Sequence, residues 1–187
     1  MNIYIKNMVC NRCIMVVRQE LEKLGLQPIQ VTLGEVELKK ELSQEEKKAL
    51  RESLGTLGFE LLDDKKARLV EKVKNAIIEI IHYGDDLDNR IKFSKQIEKK
   101  VGVDYHSLST LFSATEGTTI EKFIIHQRIE KVKELLVYNE LTLSEIAYKT
   151  GYSSVQHLST QFKKVTGLTP SYFKQIKNIK RKPLDEV

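Results

Sequence analysis

Two cysteines near the start of the chain are the side chains best suited to bind a soft ion. Cys10 and Cys13 are the only cysteines among 187 residues, and they stand in the segment MVCNRC at residues 8–13. Two thiolates at this spacing suit Cu(I) or another soft metal ion. Structural zinc takes four ligands, and no further Cys or His stands nearby. There are three alternatives for this pair: a soft-metal site, a thiol redox switch, or a loop that serves only an interaction or dimerisation module.

The elements that must position this pair follow a regular order in residues 1–63. A short apolar run at Ile3–Ile5 predicts a strand, and Gly34 marks a turn between two further strands. Helical spacing predicts one helix after Cys13 and another after the capping box at residues 43–46. The apolar stripes are Ile14, Val17, Leu21 and Leu24 in the first helix, Ala49, Leu50, Ser53, Leu54 and Leu57 in the second, and Ile29, Val31 and Leu33 on one strand.

The predicted order is therefore βαββαβ, which is the ferredoxin-like arrangement. It places Cys13 in the first turn of a helix, where the helix dipole stabilises a thiolate. The motif and its place between the first strand and the first helix resemble the heavy-metal-associated domain of copper chaperones and metal ATPases. That resemblance implies Cys10 and Cys13 as ligands of a soft metal such as Cu(I), with Met8 as a core anchor of the loop.

The charge of the chain is unevenly distributed along its length. Residues 1–63 carry a net charge of −1 and residues 64–187 a net charge of +6, which together give the +5 of the whole chain. Between Ile146 and Leu184 eight basic residues stand without an acidic one. A field of one sign over this length is expected for a nucleic-acid partner. The charged stretch DDKKA at residues 63–67 is the predicted domain boundary. After it, the spacing of Leu69, Val73, Ile77 and Ile81 predicts one long helix, which ends at the acidic turn GDDLDN of residues 84–89.

The second part contains an internal repeat. LSTLFSATEGTT from Leu108 and LSTQFKKVTGLTP from Leu158 are identical at six positions at an offset of 50. Each copy reads as a helix, a glycine-containing turn and a second helix, so the sequence predicts two helix-turn-helix units in an all-α domain. The segment between the copies has apolar residues at helical spacing and nothing that breaks a helix, which predicts one long connecting helix.

The second copy carries a longer pattern, LTLSEIAYKTGYSSVQHLSTQFKKVTGLTPSYFKQ at residues 141–175. It resembles the DNA-binding domain of the AraC/XylS family of bacterial transcription regulators. The resemblance covers residues from about 67 to 180, with a domain at 67–182, and implies seven helices. Tyr172 and Phe173 are expected in the core, and the basic end consists of Lys174, Lys177, Lys180, Arg181 and Lys182.

The second recognition helix is expected to bury Leu158 and Phe162 and to present its other face to DNA. Ser153 is its predicted cap, and Thr142 and Glu145 are the predicted capping box of the helix before it. Glutamine pairs with adenine, valine contacts a thymine methyl group, and lysines bind phosphates. The predicted DNA-binding residues of this copy are Val155, Gln156, Ser159, Thr160, Lys163 and Lys164. The alternative is that these are ordinary surface residues of a helical bundle.

In the first copy, the family resemblance assigns base-facing positions to His106, Ser109 and Thr110. Where the second copy has Lys163-Lys164, the first has Ser113-Ala114, so a weaker grip on phosphates is expected.

Together these patterns predict a cytoplasmic transcription regulator that binds promoter DNA and responds to a soft metal. The alternative keeps the regulator but makes its N-terminal domain a protein-interaction or dimerisation module. RNA polymerase and a second copy of the chain are the further candidate partners. No apolar run is long enough to span a bilayer, and no nucleophile–base pair, phosphate loop or pair of catalytic acids appears, so an enzyme is not expected.

Overall fold

The structure, a computed structural model, describes residues 1–84 and 92–180, with the side chains of 177–180 left out. These residues form two compact units. The first consists of Met1–Ile78 and Ile97–Gly117, and the second of Glu79–Gln96 and the described part of Thr118–Val187. Residues 85–89 of the predicted acidic turn, Arg181, Lys182 and the side chains of Lys177 and Lys180 lie outside the described residues. The boundary at residues 63–67 stays a prediction.

The first unit begins with four strands and two helices in the order βαββαβ. The strands pair antiparallel in the order β2-β3-β1-β4, which places the first strand at the centre of the sheet. The predicted succession of elements is confirmed by this order. The bounds are β1 Asn2–Lys6, α1 Asn11–Lys23, β2 Pro28–Thr32, β3 Glu35–Leu38, α2 Gln44–Thr56 and β4 Glu60–Leu62.

A core of aliphatic side chains from the four strands and from α1 and α2 holds this sheet region together. Four residues predicted for its stripes are instead exposed, and one of them is Ala49 of α2. Leu24 and Leu57 are C-cap residues that follow the last turns of α1 and α2. Ile29 is 55% exposed because a bulge interrupts the β2–β3 register between Pro28 and Gln30, so the alternation of faces fails there.

A long helix, α3, spans Lys65–Ile78 and passes into a π-helical turn at Glu79–Tyr83. α3 packs against β4 and against a later helix, α5, within the first unit. Its predicted residues Val73 and Ile77 are buried, and Leu69 is half-buried. Two polar residues of α3, Glu71 and Asn75, are also buried, which the periodicity of apolar residues did not indicate.

Six further helices follow α3, so that residues 65–180, as far as they are described, contain the seven α-helices expected there. The connecting helix α6 runs without a break for 19 residues and is capped by Thr119 and by Asn139 in the left-handed conformation. The prediction of one continuous helix is confirmed. The bounds are α4 Phe93–Val101, α5 Tyr105–Glu116, α6 Ile120–Tyr138, α7 Leu143–Lys149, α8 Val155–Thr166 and α9 Pro170–Lys180.

Candidate nucleic-acid interface and cysteine loop

The second helix-turn-helix consists of α7, a turn and α8. Thr142 and Glu145 form the predicted capping box at the start of α7: each side chain accepts a hydrogen bond from the backbone N–H of the other. Gly151 supplies the sharp turn with a φ of 74°. The turn therefore delivers α8 at a defined angle to α7.

The cap of α8 lies one residue later than predicted. Ser154, not Ser153, is the N-cap, and its hydroxyl accepts the backbone N–H of His157 at 3.1 Å. Ser153 instead shares a 3.1 Å hydrogen bond with His157 Nδ1. The sequence offered two adjacent serines, and Ser154 has the extended backbone (φ −162°, ψ 161°) that an N-cap residue adopts.

The inner face of α8 is fixed in an apolar core. Leu158 and Phe162 are fully buried, as predicted, and the ring of Phe162 meets that of Phe173 edge to face at 5.6 Å between centroids. Phe173 of α9 packs against this core, whereas Tyr172, predicted in the core, is 52% exposed. With its inner face held, α8 can present its opposite face as a rigid surface.

That opposite face carries most of the residues predicted to bind DNA. Gln156, Thr160, Lys163 and Lys164 are exposed. Ser159 is half-buried, and Val155 is half-buried and packs against the core. The exposed amide, hydroxyl and two ammonium groups lie along one helix face, as readout of bases flanked by phosphate contacts requires. Their contact with DNA stays a prediction.

His157 is an exposed residue of α8 that the sequence analysis did not single out. Its ring contacts the ring of Tyr152 edge to face at 5.2 Å, and its Nδ1 bonds Ser153. These two contacts orient the imidazole on the exposed surface. Its position directly after Gln156 was the signal available in the sequence.

A half-buried cation from α6, Arg128, supports the turn before α8. Arg128 Nη1 donates to the carbonyl oxygen of Gly151 at 3.5 Å, and the guanidinium carbon lies 6.0 Å from the ring of Tyr152 and 5.4 Å from that of Phe93. Burial lowers the pKa of Arg128 and raises the pKa of Tyr152. The cation stays charged at neutral pH and holds the turn by polar and cation–π contacts.

The first helix-turn-helix consists of α4, a turn at Gly102 and α5. Asp104 caps α5 by accepting the backbone N–H of Ser107 at 2.9 Å, and this hydrogen bond lowers the pKa of the Asp104 carboxyl. Of the residues assigned to DNA, His106 and Thr110 are exposed and Ser109 is half-buried. The roles of these three residues stay predictions.

The cysteine pair lies at the start of α1, as predicted. Cys10 is the N-cap and Cys13 is in the first turn, and their sulfur atoms are 3.5 Å apart. The backbone N–H and then the thiol of Cys13 lower the pKa of the Cys10 thiol. Cys10 thus ionises more readily than a free thiol, at a position where a helix N-terminus favours negative charge.

The loop that carries the cysteines is anchored on both sides. Met8 is fully buried, as expected of a core anchor. Asn7 has a φ of 72°; its side chain donates to the carbonyl oxygen of Gly58 at 2.9 Å, and its backbone N–H donates to Glu71 Oε1 at 3.1 Å. Within residues 1–84 and 92–180 no three His, Cys, Asp or Glu side chains group as metal ligands, so any ion here would rest on the two sulfur atoms.

Comparisons with known proteins agree with the geometry of the helical part. A family model described as a helix-turn-helix domain matches residues 97–176. The xylose operon regulatory protein of Escherichia coli K12 is 30% identical over 102 residues, which is 54% of this chain and 26% of that protein. An HTH-type transcriptional regulator of Pseudoalteromonas carrageenovora is 34% identical over 105 residues, which is 55% of this chain and 58% of that protein. The chain thus spans about a quarter to somewhat over half of these relatives.

Solved structures show the same fold. The C-terminal domain of AraT, a response regulator from Geobacillus stearothermophilus, superposes with a TM-score of 0.50 at 24% identity, over 60% of this chain and 88% of that one. A DNA-binding transcriptional dual regulator from Escherichia coli K-12 superposes with a TM-score of 0.51 at 17% identity, over 60% of this chain and 94% of that one.

The helical part is therefore a DNA-binding domain of the helix-turn-helix class. More particularly, it is a helix-turn-helix domain of the AraC family, as its sequence pattern predicted. The proteins and folds that it matches are those of transcription regulators, not enzymes. In the part of the chain that the structure describes, no helix is long and apolar enough to cross a bilayer.

Proposed function

We propose that the whole chain is a transcription regulator that binds promoter DNA through α5 and α8. The observation that carries the proposal is the exposed polar and basic face of α8 above a fully buried Leu158 and Phe162. In this proposal Gln156 reads a base edge, and Lys163 and Lys164 bind phosphates.

The proposal extends to the N-terminal domain, residues 1–63, as a ferredoxin-like domain of the heavy-metal-associated type that binds one Cu(I). Two metal–sulfur bonds of about 2.3 Å in line place the sulfur atoms about 4.6 Å apart, so binding of Cu(I) by Cys10 and Cys13 would move apart two sulfur atoms that are now 3.5 Å from each other. The lowered pKa of Cys10 favours the thiolate that binds the metal. A bound soft cation would neutralise thiolate charge at the start of α1 and stiffen the loop.

Paired titrations test both parts of the proposal. The reduced full chain is titrated with a DNA duplex selected by the chain from a random-sequence library, with and without Cu(I), and with Cu(I) in the presence and absence of that duplex. We expect Cu(I) to change the DNA affinity by about 5–150-fold and DNA to change the Cu(I) affinity by the same factor, because coupling is reciprocal.

The Cys10→Ala/Cys13→Ala variant is the control for the metal site. It should lose tight Cu(I) binding and retain the DNA affinity of the metal-free protein. Equal Cu(I) affinity in the variant and the wild type would rule out the proposed metal site at Cys10 and Cys13. Absence of sequence-selective DNA binding by the wild type would rule out the proposed function as a transcription regulator.

A second function for the N-terminal domain is an interaction module without metal. Two apolar side chains beside the cysteines favour it, because Met15 is 58% and Val9 is 49% exposed. The partner would be a second copy of the chain or RNA polymerase. A wild type that binds Cu(I) without any change in DNA affinity would favour this function, and Met15→Ser should then weaken self-association or polymerase binding.

A further inference from the structure

We propose that the carboxylate of Glu71 is the positioning contact that ties the cysteine loop to α3, and that α3 carries the state of the loop to the recognition helix α5. All residues involved belong to the first compact unit. The inference rests on the proposed function, since it names the route by which an ion at Cys10 and Cys13 would alter DNA binding.

The first step of the route is the hydrogen bond from the backbone N–H of Asn7 to Glu71 Oε1, 3.1 Å long, between residues 64 apart in sequence. Asn7 has a φ of 72°, a left-handed conformation that asparagine adopts more readily than other residues with a side chain. Glu71 accepts the backbone N–H of Asn7, three positions before Cys10. Movement of the cysteine loop therefore acts directly on the Glu71 contact.

The second step is the burial of Glu71 itself. The side chain is 6% exposed, although its neighbours in α3, Val70 and Val73, show that an apolar residue would pack there. A buried carboxylate is costly unless hydrogen bonds and cations compensate it. Burial raises the pKa of Glu71, and the Asn7 N–H and then the charges of Lys74 and Lys6 offset only part of this rise. Removing the Asn7 contact would leave a poorly compensated group inside α3, so the state of the loop matters to the helix.

The third step joins α3 to the recognition helix. α3 packs along α5, and Lys74 Nζ lies 2.7 Å from an Oε2 oxygen of Glu116, the last residue of α5, with both side chains largely shielded. Lys74 stands three residues after Glu71 in α3, a spacing that places both side chains on one helix face, and its charge favours the Glu71 carboxylate. A polar path thus runs from Asn7 through Glu71 and Lys74 to Glu116, a network of the kind that can carry coupling between two sites.

Three substitutions in the full chain separate the steps. Glu71→Leu fills the space and removes the acceptor, Glu71→Gln keeps a neutral acceptor for Asn7, and Lys74→Met keeps Glu71 but removes the ion pair to α5. Glu52→Leu, at an exposed position of α2, is the matched control. Thermal unfolding first checks that each variant folds.

Amide hydrogen exchange followed by NMR on the reduced, metal-free protein is the first measurement. Glu71→Leu should speed exchange at Asn7 by about tenfold or more and also speed exchange in α5. Glu71→Gln and Glu52→Leu should resemble the wild type. Lys74→Met should affect α5 but leave Asn7 protected, so it tests the last step even if Glu71→Leu does not fold. Faster exchange confined to Asn7, or a Gln variant that behaves as the Leu variant, would overturn the inference.

The second measurement is the effect of Cu(I) on affinity for the selected duplex. In Glu71→Leu and Lys74→Met this effect should fall below about twofold, while Cu(I) itself still binds through the cysteines. Full coupling in either variant would overturn the inference and leave the proposed function intact. If the wild type shows no response to Cu(I), the metal-responsive function fails, and exchange in α5 of the metal-free variants alone decides the role of Glu71.

Discussion

Gln156 and Lys163 share the exposed face of α8 but offer DNA different chemistry. An amide can make two directed hydrogen bonds to one adenine, whereas an ammonium group interacts with any phosphate. Single substitutions should therefore separate sequence selection from affinity at the scale of one residue.

For Gln156→Ala we expect relaxed preference at about one base pair, with a loss of about 1–3 kcal/mol on the best site and little change on other sequences. Competition binding with duplexes that vary one position at a time measures this. An unchanged preference at every position would contradict a base-reading role for Gln156.

Lys163→Ala should weaken binding to all duplexes alike and lower the slope of log affinity against log salt concentration by about 1. The control is Lys48→Ala, since Lys48 is an exposed lysine of α2 in the other unit. Equal losses for the two lysine variants would show that only the overall charge of the chain matters.

The reactivity of the Cys10 thiol can be predicted and tested without DNA or metal. Because the backbone N–H and thiol of Cys13 lower the pKa of Cys10, iodoacetamide should modify Cys10 at lower pH than a free thiol. Cys13→Ala removes the thiol contact but keeps the backbone N–H, so the pKa of Cys10 should rise part of the way back. The rate of alkylation against pH, read by mass spectrometry, measures both values, and a pKa at or above that of a free thiol would contradict the arrangement.

At the scale of elements, the two recognition helices are built alike but carry different charge. The last turn of α8 carries the exposed lysines Lys163 and Lys164. At the matching positions α5 has Ser113 and Ala114, and its last residue is Glu116. Phosphate contacts supply much of the affinity of DNA-binding proteins. The half-site of α8 should therefore be the stronger one.

We expect His106→Ala to reduce overall DNA affinity less than either Gln156→Ala or Lys163→Ala. Footprinting on the selected duplex should show stronger protection of the half-site that Lys163→Ala weakens. Stronger protection of the half-site affected by His106→Ala would show that α5 contributes more DNA affinity than α8.

The packing of α3 on the sheet makes a separate prediction at Gly34. Gly34 has a φ of 76°, and a Cβ there would lie 2.0 Å from Asn75 Nδ2, whose amide donates to the carbonyl oxygen of Leu33 at 3.2 Å. Gly25 has a φ of 70° with nothing within 4 Å of such a Cβ. Gly25→Ala should therefore cost only the left-handed strain, about 1–2 kcal/mol, and Gly34→Ala about 1–3 kcal/mol more.

Denaturant unfolding of both variants measures this difference. Asn75→Ala in the Gly34→Ala background should recover part of the loss, because it removes the clashing amide. Equal destabilisation by the two glycine substitutions would mean that α3 does not approach the β2–β3 turn as described.

At the scale of the whole molecule, the sheet, α3 and α5 form one compact unit. The buried carboxyl of Glu71 makes the stability of this unit depend on pH. Burial raises the pKa of Glu71 above its ordinary value of 4.5, and the charge of Glu116 raises it further. The Asn7 N–H and the charges of Lys74 and Lys6 lower this pKa, but by less. The folded chain therefore binds this proton more tightly than the unfolded chain does.

It follows that the contribution of Glu71 to the free energy of unfolding is largest at a pH below the pKa of this carboxyl in the unfolded chain. The contribution is lost as pH rises through the higher pKa of Glu71 in the folded chain. As pH rises from the unfolded pKa to the folded pKa of Glu71, the unfolding midpoint temperature of the wild type should fall relative to that of Glu71→Gln. At higher pH the difference should stay constant. Thermal unfolding at a series of pH values measures it. A difference that is flat, or that moves in favour of the wild type as pH rises, would show that the carboxyl is not buried in the folded chain.

The sequence by itself determined the features that depend on near neighbours in the chain. Capping at Thr142 and Glu145, the helix start at the cysteines and the core face of α8 are patterns within about twelve residues, where helix geometry alone decides which side chains meet. The same rule failed at Ile29 because a bulge belongs to the pairing of two strands, and at Ser153 because the residue after it has the extended backbone of an N-cap.

Only the tertiary structure decided what meets across distant parts of the chain. Periodicity marks which face of α3 is apolar, but it does not say that Glu71 and Asn75 bond the backbone near Asn7 and at Leu33, 64 and 42 residues away. Nor does it place Arg128 beneath the turn at Gly151. The physical reason is that a buried polar group is tolerated only where folding brings it a partner, and that partner is set by packing rather than by local spacing.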